Sequence, residues 1–211
     1  MKRKGTLFIF SAPSGAGKDT VLAEVLKQND NLKLSISNIT RGMRQGEVEG
    51  EKYNFISKEK FEQMLVNKDF LEFNEYCGNY YGTPKAPVEK WLSEGYDVIL
   101  EIDVNGAFKV KNKMPEAVMI FMLPPSVYTL KSRLEKRGTE NADVVKKRLK
   151  QAKKEIEFAR DYDYIFVNDD LDDAVFDLMA IIRANALLNE NMQEHLGKVI
   201  NDAKSCNWKI D

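Results

Sequence analysis

The stretch "TLFIFSAPSGAGKDT", residues 6–20, constrains the fold of this 211-residue chain more than any other. The run "TLFIF" is apolar, rich in branched and aromatic residues and too short for a helix, so it reads as a buried strand. It passes without interruption into a glycine-rich loop and then into a helical pattern over 19–28. A strand that ends in glycines and opens a helix gathers backbone N–H groups and a positive helix end around one point, which suits phosphate. Gly15 and Gly17 supply the backbone freedom the loop needs, and Lys18 adds a mobile positive charge. The loop candidates are Ala12, Pro13, Ser14, Gly15, Ala16, Gly17, Lys18, Asp19 and Thr20. A plain strand-to-helix turn would also be glycine-rich, but it has no need of the lysine.

Two positions depart from the pattern G-x-x-x-x-G-K-[ST]. Ala12 replaces the first glycine, a mild change wherever φ stays negative. Asp19 replaces the hydroxyl that usually meets a metal ion. A carboxylate ~5 Å from a phosphate charge costs about 3 kcal/mol at an effective dielectric near 20. A cation or water layer must therefore lie between them, although an aspartate in a first helical turn also suits the helix dipole. Thr20 projects about 100° further round the helix and does not replace the missing hydroxyl.

Further apolar runs, 98–103 ("VILEID"), 117–123 ("AVMIFML") and 164–167 ("YIFV"), alternate with helical patterns at 104–113, 126–136, 142–160 and 171–192. This alternation predicts an α/β fold with a central parallel sheet and right-handed crossovers. Residues 38–95 break the rhythm with short strands ("YNFI", "FLEFNEY"), a helix at 58–68 and turns, and they read as an α+β insertion. A second insertion at 137–147 reads as a mobile cover, and 193–211 as a polar, loosely held end. Lys+Arg (32) and Asp+Glu (33) nearly cancel, so no global field draws nucleic acid or an anionic membrane. The first apolar run stops at Phe10, too short for a signal peptide or a membrane span. Cys77 and Cys206 lack metal-like spacing and suit a reducing, cytoplasmic compartment. With His195 the only histidine, the chemistry must run on lysine, arginine, carboxylates and backbone amides.

Arg41 and Arg44 stand three apart near Tyr53, which suits a bidentate grip on phosphate oxygens. In "FLEFNEYCGNYYGT", Glu72, Tyr80, Tyr81 and Thr83 follow. Glu72 between aromatics would accept two N–H bonds from a guanine edge if its side chain faces a pocket; an outward strand position stays open. Glu101 and Asp103 end a central strand, where parallel sheets bind ligands. The "NDD" at 168–170 would serve equally to cap the helix from Leu171.

The combination "TLFIFSAPSGAGK", "TRGMRQGEVEGEKYNF", "GNYYGT", "LEIDVNGA", "RLEKRGTE" and "FVNDDLDDA" resembles the bacterial guanylate kinases over nearly the whole chain. That resemblance implies a P-loop NTPase-like three-layer α/β/α domain spanning 1–211. Its core would comprise about 1–37, 96–136 and 148–195, with a GMP-binding insertion at 38–95 and a lid at 137–147. It implies ATP-dependent phosphorylation of GMP, and of dGMP, in purine nucleotide metabolism, with Mg²⁺ accompanying ATP. Ser37, Glu72, Thr83 and Asp103 match positions that read guanine. Arg41, Arg44, Glu47, Tyr53 and Tyr81 match those around the GMP phosphate. Arg133 and Asn168 match positions near adenine, and Lys18, Arg41, Arg137 and Arg148 match the groups around the transferring phosphoryl. No direct protein ligand for the metal is expected, with Asp19 facing it through water. Two rivals remain: a kinase of another small phosphorylated acceptor such as ribose bisphosphate, and a catalytically inactive protein-binding module of the same fold. ATP and GMP are the expected partners, without nucleic acid or membrane, as monomer or homo-oligomer.

Overall fold

In the computed structural model, residues 4–44, 46–76, 78–136 and 142–206 are described. Arg137 and Cys77, both singled out above, lie outside them. Five strands build a wholly parallel sheet: β1 (Leu7–Ser11), β2 (Leu32–Ser35), β7 (Asp97–Glu101), β8 (Val118–Leu123) and β9 (Tyr164–Val167). Their order is β2-β7-β1-β8-β9. Helices α1 (Lys18–Gln28), α4 (Val104–Lys113), α5 (Val127–Lys136), α6 (Ala142–Glu157) and α7 (Leu171–Ala186) connect or flank them.

Side chains alternate across a strand, and here both faces are covered. On one face Leu7, Ile9, Val98, Leu100, Met119 and Phe121 pack with Ala107 and Val110 of α4. On the other, Phe8, Phe10, Ile99, Ile120 and Met122 pack with Val21, Leu22 and Val25 of α1 and Ala174, Leu178 and Ile182 of α7. This double burial is why β1, β7 and β8 read as continuous apolar runs. It also holds the carboxyl ends of β1 and β7 side by side, with Ile9 level with Leu100 and Phe10 with Glu101.

From β2 the chain enters a second, four-stranded sheet of order β4-β3-β6-β5. Its strands are β3 (Ser37–Ile39), β4 (Tyr53–Phe55), β5 (Phe70–Tyr76) and β6 (Asn79–Pro84), with α2 (Lys58–Val66) between β4 and β5. Phe61 of α2 stacks between Phe70 and Tyr80, at centroid distances of 4.4 and 5.3 Å, and anchors the helix to this sheet. Helix α3 (Lys85–Glu94) returns the chain to β7.

Several expectations change. The pattern at 142–160 becomes α6 followed by a 3₁₀ turn, Phe158–Asp161, so residues 142–147 of the expected cover belong to a helix. The pattern at 171–192 stops at Ala186, where Leu187 caps the helix and a 3₁₀ turn, Asn189–Met192, follows. The expected loose end is instead helical over α8 (Gln193–Ser205), supported by Lys198 and Glu194 one turn apart at 2.8 Å. Helix α8 buries none of its residues, so no core pattern marked it. No helix among the described residues is long and apolar enough to cross a membrane.

Candidate active site

The glycine-rich loop leaves β1 and closes on itself through a bond from Ala16 N–H to the Pro13 carbonyl, 3.0 Å. Gly15 and Gly17 adopt φ of 92° and 93°, the left-handed region that glycine tolerates. Space is equally restrictive: a Cβ at Gly15 would lie 2.8 Å from Leu134 Cδ2, and one at Gly17 would lie 2.7 Å from Asn168 Nδ2. Ala12 is not among the positive-φ residues, so its methyl is accommodated.

Arg133 and Asn168 converge on this loop. Asn168 Nδ2 donates to the Ala16 carbonyl at 2.7 Å, and Arg133 Nη1 donates to the same oxygen at 3.1 Å. Arg133 Nη2 also reaches the Asn168 carbonyl, 3.2 Å. The cap of α7 is Asp170, which accepts from the N–H groups of Asp172 (2.8 Å) and Asp173 (3.3 Å). Asn168 is thereby left to brace the loop.

Lys18 and Asp19 begin α1 beside the end of β7. Lys18 Nζ lies 3.4 Å from Glu101 Oε1. Asp19 Oδ2 accepts from Lys52 Nζ at 2.6 Å, a contact from the turn before β4 that has no counterpart among the sequence expectations. Burial pushes the Asp19 carboxyl up. Hydrogen bonding with Glu101 and Lys52, and the charges of Lys52 and Lys18, outweigh it and hold Asp19 below its ordinary value. Burial raises Glu101, Lys18 opposes the rise, and the hydrogen bond with Asp19 adds to it.

The second sheet carries the other half of the site. Arg41 donates from Nη1 and Nη2 to the two oxygens of Glu47, at 2.7 and 2.6 Å, and its guanidinium lies over the rings of Tyr53 and Phe55. The Arg44 N–H also reaches Glu47, 2.7 Å. These contacts, Arg41 first, pull the Glu47 carboxyl down to about 2. Tyr53 and Tyr81 meet edge to face with ring centroids 6.5 Å apart.

Glu72 faces inward. It is 6% exposed, and its Oε1 accepts from the hydroxyl of Thr83, itself 1% exposed, at 2.6 Å. The pairing of β5 with β6 shifts register between Phe70 and Glu72, which sets Leu71 and Glu72 both inside. Burial pushes the Glu72 carboxyl above its ordinary range; the Thr83 bond opposes this and the Asp103 charge adds to it. Helix α4 approaches closely because residue 106 is glycine: a Cβ there would lie 3.0 Å from Glu72 Oε2. Asp103 lies just past β7, caps α4 through the Gly106 N–H (2.8 Å) and accepts from Asn74 Nδ2 (3.2 Å). Ser37 opens β3 opposite Tyr53. Arg148 lies on α6, and α6 packs on α5 through Leu130, Leu134, Val145 and Ala152.

Lys52 and Asn74 join the site without having been sequence candidates. Each is an unremarkable polar residue in its own segment, and only the meeting of distant segments gives it a partner. Among the described residues no group of three or more His, Cys, Asp or Glu could hold a metal ion by itself.

Comparisons with known proteins agree with this arrangement. The family model for guanylate kinase matches residues 4–185. A guanylate kinase of Carboxydothermus hydrogenoformans is 50% identical over 184 residues, covering 87% of this chain and 90% of that protein. One from Vibrio parahaemolyticus is 48% identical, covering 89% and 91%. Among solved structures, the guanylate kinase from Anaplasma phagocytophilum superposes with a TM-score of 0.74 at 34% identity, covering 89% of each chain. Neither a ribose bisphosphate acceptor nor an inactive binding module finds support in these likenesses. The chain belongs to the guanylate kinase family.

Proposed function

We propose that this chain transfers the γ-phosphoryl group of ATP to the phosphate of GMP, giving ADP and GDP. The observation that carries the reading is the buried Glu72–Thr83 pair on the second sheet, linked back to the phosphate-loop sheet through Asn74 and Asp103. A buried carboxylate needs N–H donors, and the guanine edge offers two side by side. The Thr83 hydroxyl, with Ser37 and Asp103, completes the reading of the base. Arg41, Arg44, Tyr53 and Tyr81 hold the GMP phosphate, which takes the place of the Glu47 carboxylate on Arg41.

Phosphoryl transfer asks chiefly for in-line positioning and charge stabilisation. The loop amides around Gly15 and Gly17 hold the ATP phosphates, and Arg133 and Asn168 fix the loop and border the adenine. Lys18, Arg41, Arg137 and Arg148 balance the charge on the transferring group. No general base is required, because the accepting phosphate is already anionic. ATP chemistry implies Mg²⁺, and the site suits it: Asp19 and Glu101 are hard oxygen donors, and an ammonium already lies 2.6 Å from Asp19. Held near Asp19 and Glu101, Mg²⁺ would supply positive charge that offsets the negative charge of the ATP phosphates. The second sheet and the segment 137–147 exclude water from the closed site. We place the activity in the cytoplasm, with ATP and GMP as partners.

The test is ATP-dependent turnover by the purified protein, compared across GMP, dGMP, AMP and ribose bisphosphate. GDP formation from GMP, with AMP and ribose bisphosphate inert, is the expected result. Phosphorylation of AMP or ribose bisphosphate in preference to GMP would overturn the reading.

A further inference from the structure

GMP phosphorylation does not account for the pair formed by Asp19 and Lys52. Asp19 follows Lys18 at the start of α1, and Lys52 lies 33 residues on, in the turn before β4, so their 2.6 Å contact ties the second sheet to the phosphate loop. Both side chains are more than half exposed, so the ion pair contributes little to stability. Asp19, Lys52 and Glu101 line one cavity of about 220 Å³, which they share with Ser35. Ser35 is 7% exposed, and its buried hydroxyl has no hydrogen-bond partner among the described residues. The cavity thus offers carboxylate and hydroxyl oxygens, and the ammonium of Lys52 is the cation drawn to them.

A carboxylate at position 19 repels the ATP phosphates unless a cation neutralises it. Two cations can do so, the Lys52 ammonium and a divalent ion arriving with the nucleotide. They compete, because each needs Asp19 and each repels the other. We propose that Lys52 is a positioning residue that neutralises Asp19 until the metal accompanying ATP replaces it. Metal arrival then also releases the turn before β4 from the phosphate loop. The exchange rests on the reading of the loop as an ATP site.

The test is binding of a non-hydrolysable ATP analogue, measured by calorimetry in EDTA and in Mg²⁺. Lys52→Met should weaken binding in EDTA by roughly tenfold, because Asp19 is then unneutralised, and should change binding in Mg²⁺ by less than about twofold. The enhancement of binding by Mg²⁺ therefore rises in this variant. Lys52→Arg should behave as wild type. In an Asp19→Ser background, Lys52→Met should have no further effect, since Lys52 acts through Asp19. An equal loss in both buffers, an unchanged Mg²⁺ enhancement, or an undiminished effect in the Asp19→Ser background would overturn the exchange. No analogue binding by the wild-type protein in either buffer would overturn the ATP site itself and the exchange with it.

Discussion

Glu72→Gln separates what the buried carboxylate does for the fold from what it does for the substrate. The substitution keeps the shape and keeps an oxygen to accept from Thr83, 2.6 Å away, but removes the charge from a residue 6% exposed. Burial, the largest influence on Glu72, raises its carboxyl above the ordinary range despite the Thr83 bond. A carboxyl raised in the folded state favours folding at pH below its unfolded value, and that contribution disappears as pH rises through the folded one. At neutral pH the charged form is a burden, and its removal should stabilise the protein by about 1 kcal/mol, or about 2–4 °C in Tm for a chain of this size. Binding should move the other way. The substituted amide would present one acceptor and one donor to a guanine edge that offers two donors. One charge-assisted bond is lost, worth about 1.5–3 kcal/mol, so the KM for GMP should rise about 10–150-fold while that for ATP stays put. Thermal unfolding at pH 7 and steady-state kinetics measure the two arms. A lower Tm together with an unchanged KM for GMP would show Glu72 to be a structural anchor and refute its role in reading the base.

Gly17→Ala should cost at least tenfold in kcat/KM for ATP, because φ is 93° and the new Cβ would lie 2.7 Å from the Asn168 amide that braces Ala16; steady-state kinetics with varied ATP check it. Lys68→Gly should stabilise the protein by about 1 kcal/mol in urea unfolding. Lys68 has a φ of 60° beyond the end of α2, where its N–H meets the Leu65 carbonyl and the next N–H meets that of Met64. Glu47, held down to about 2 by Arg41 and then by Arg44, stabilises the fold above the ordinary carboxylate range, and that stabilisation disappears as pH falls toward 2. Wild type and Glu47→Gln should therefore converge in stability as pH drops from about 5 to 2, as followed by circular dichroism.

Where the sequence was legible, the cause lay within one segment. The strand, the glycines and the lysine of the phosphate loop are contiguous, so the site could be read from "TLFIFSAPSGAGKDT" directly. Strands β1, β7 and β8 were legible because double burial leaves them apolar, and β9 because it is an apolar run, although Ile165 and Val167 are half exposed at the sheet edge. Strand β2, "LKLS", was missed: it edges the sheet, Lys33 interrupts it, and only Leu32 and Ser35 are buried. Helix α3 was missed because it buries only Val88 and Leu92, too little to mark an apolar face. The facing of Glu72 could not be decided from alternation, since the register shift after Phe70 breaks the alternation there. The pairing of Asp19 with Lys52 had no local trace at all.

That last contact changes how the site works electrostatically. Three groups poised for a charged ligand already have an internal counter-charge: Glu47 on Arg41, Lys52 on Asp19, Glu101 on Lys18. An unpaired charge partly withdrawn from water is costly, so a site left without these partners would be a standing burden on the fold. On the proposed reading, ligand binding would be an exchange in which phosphate replaces carboxylate on Arg41 and a metal replaces ammonium on Asp19. Some affinity is given up, because each incoming charge must displace one already present. In return these charges of the ligand-free site are paired without substrate. Two of the three counter-charges, Glu47 and Lys52, come from the second sheet's own connection between β3 and β4, so displacing them would release two ties of that connection. The proposed exchange would thereby couple binding of either nucleotide to the position of that connection.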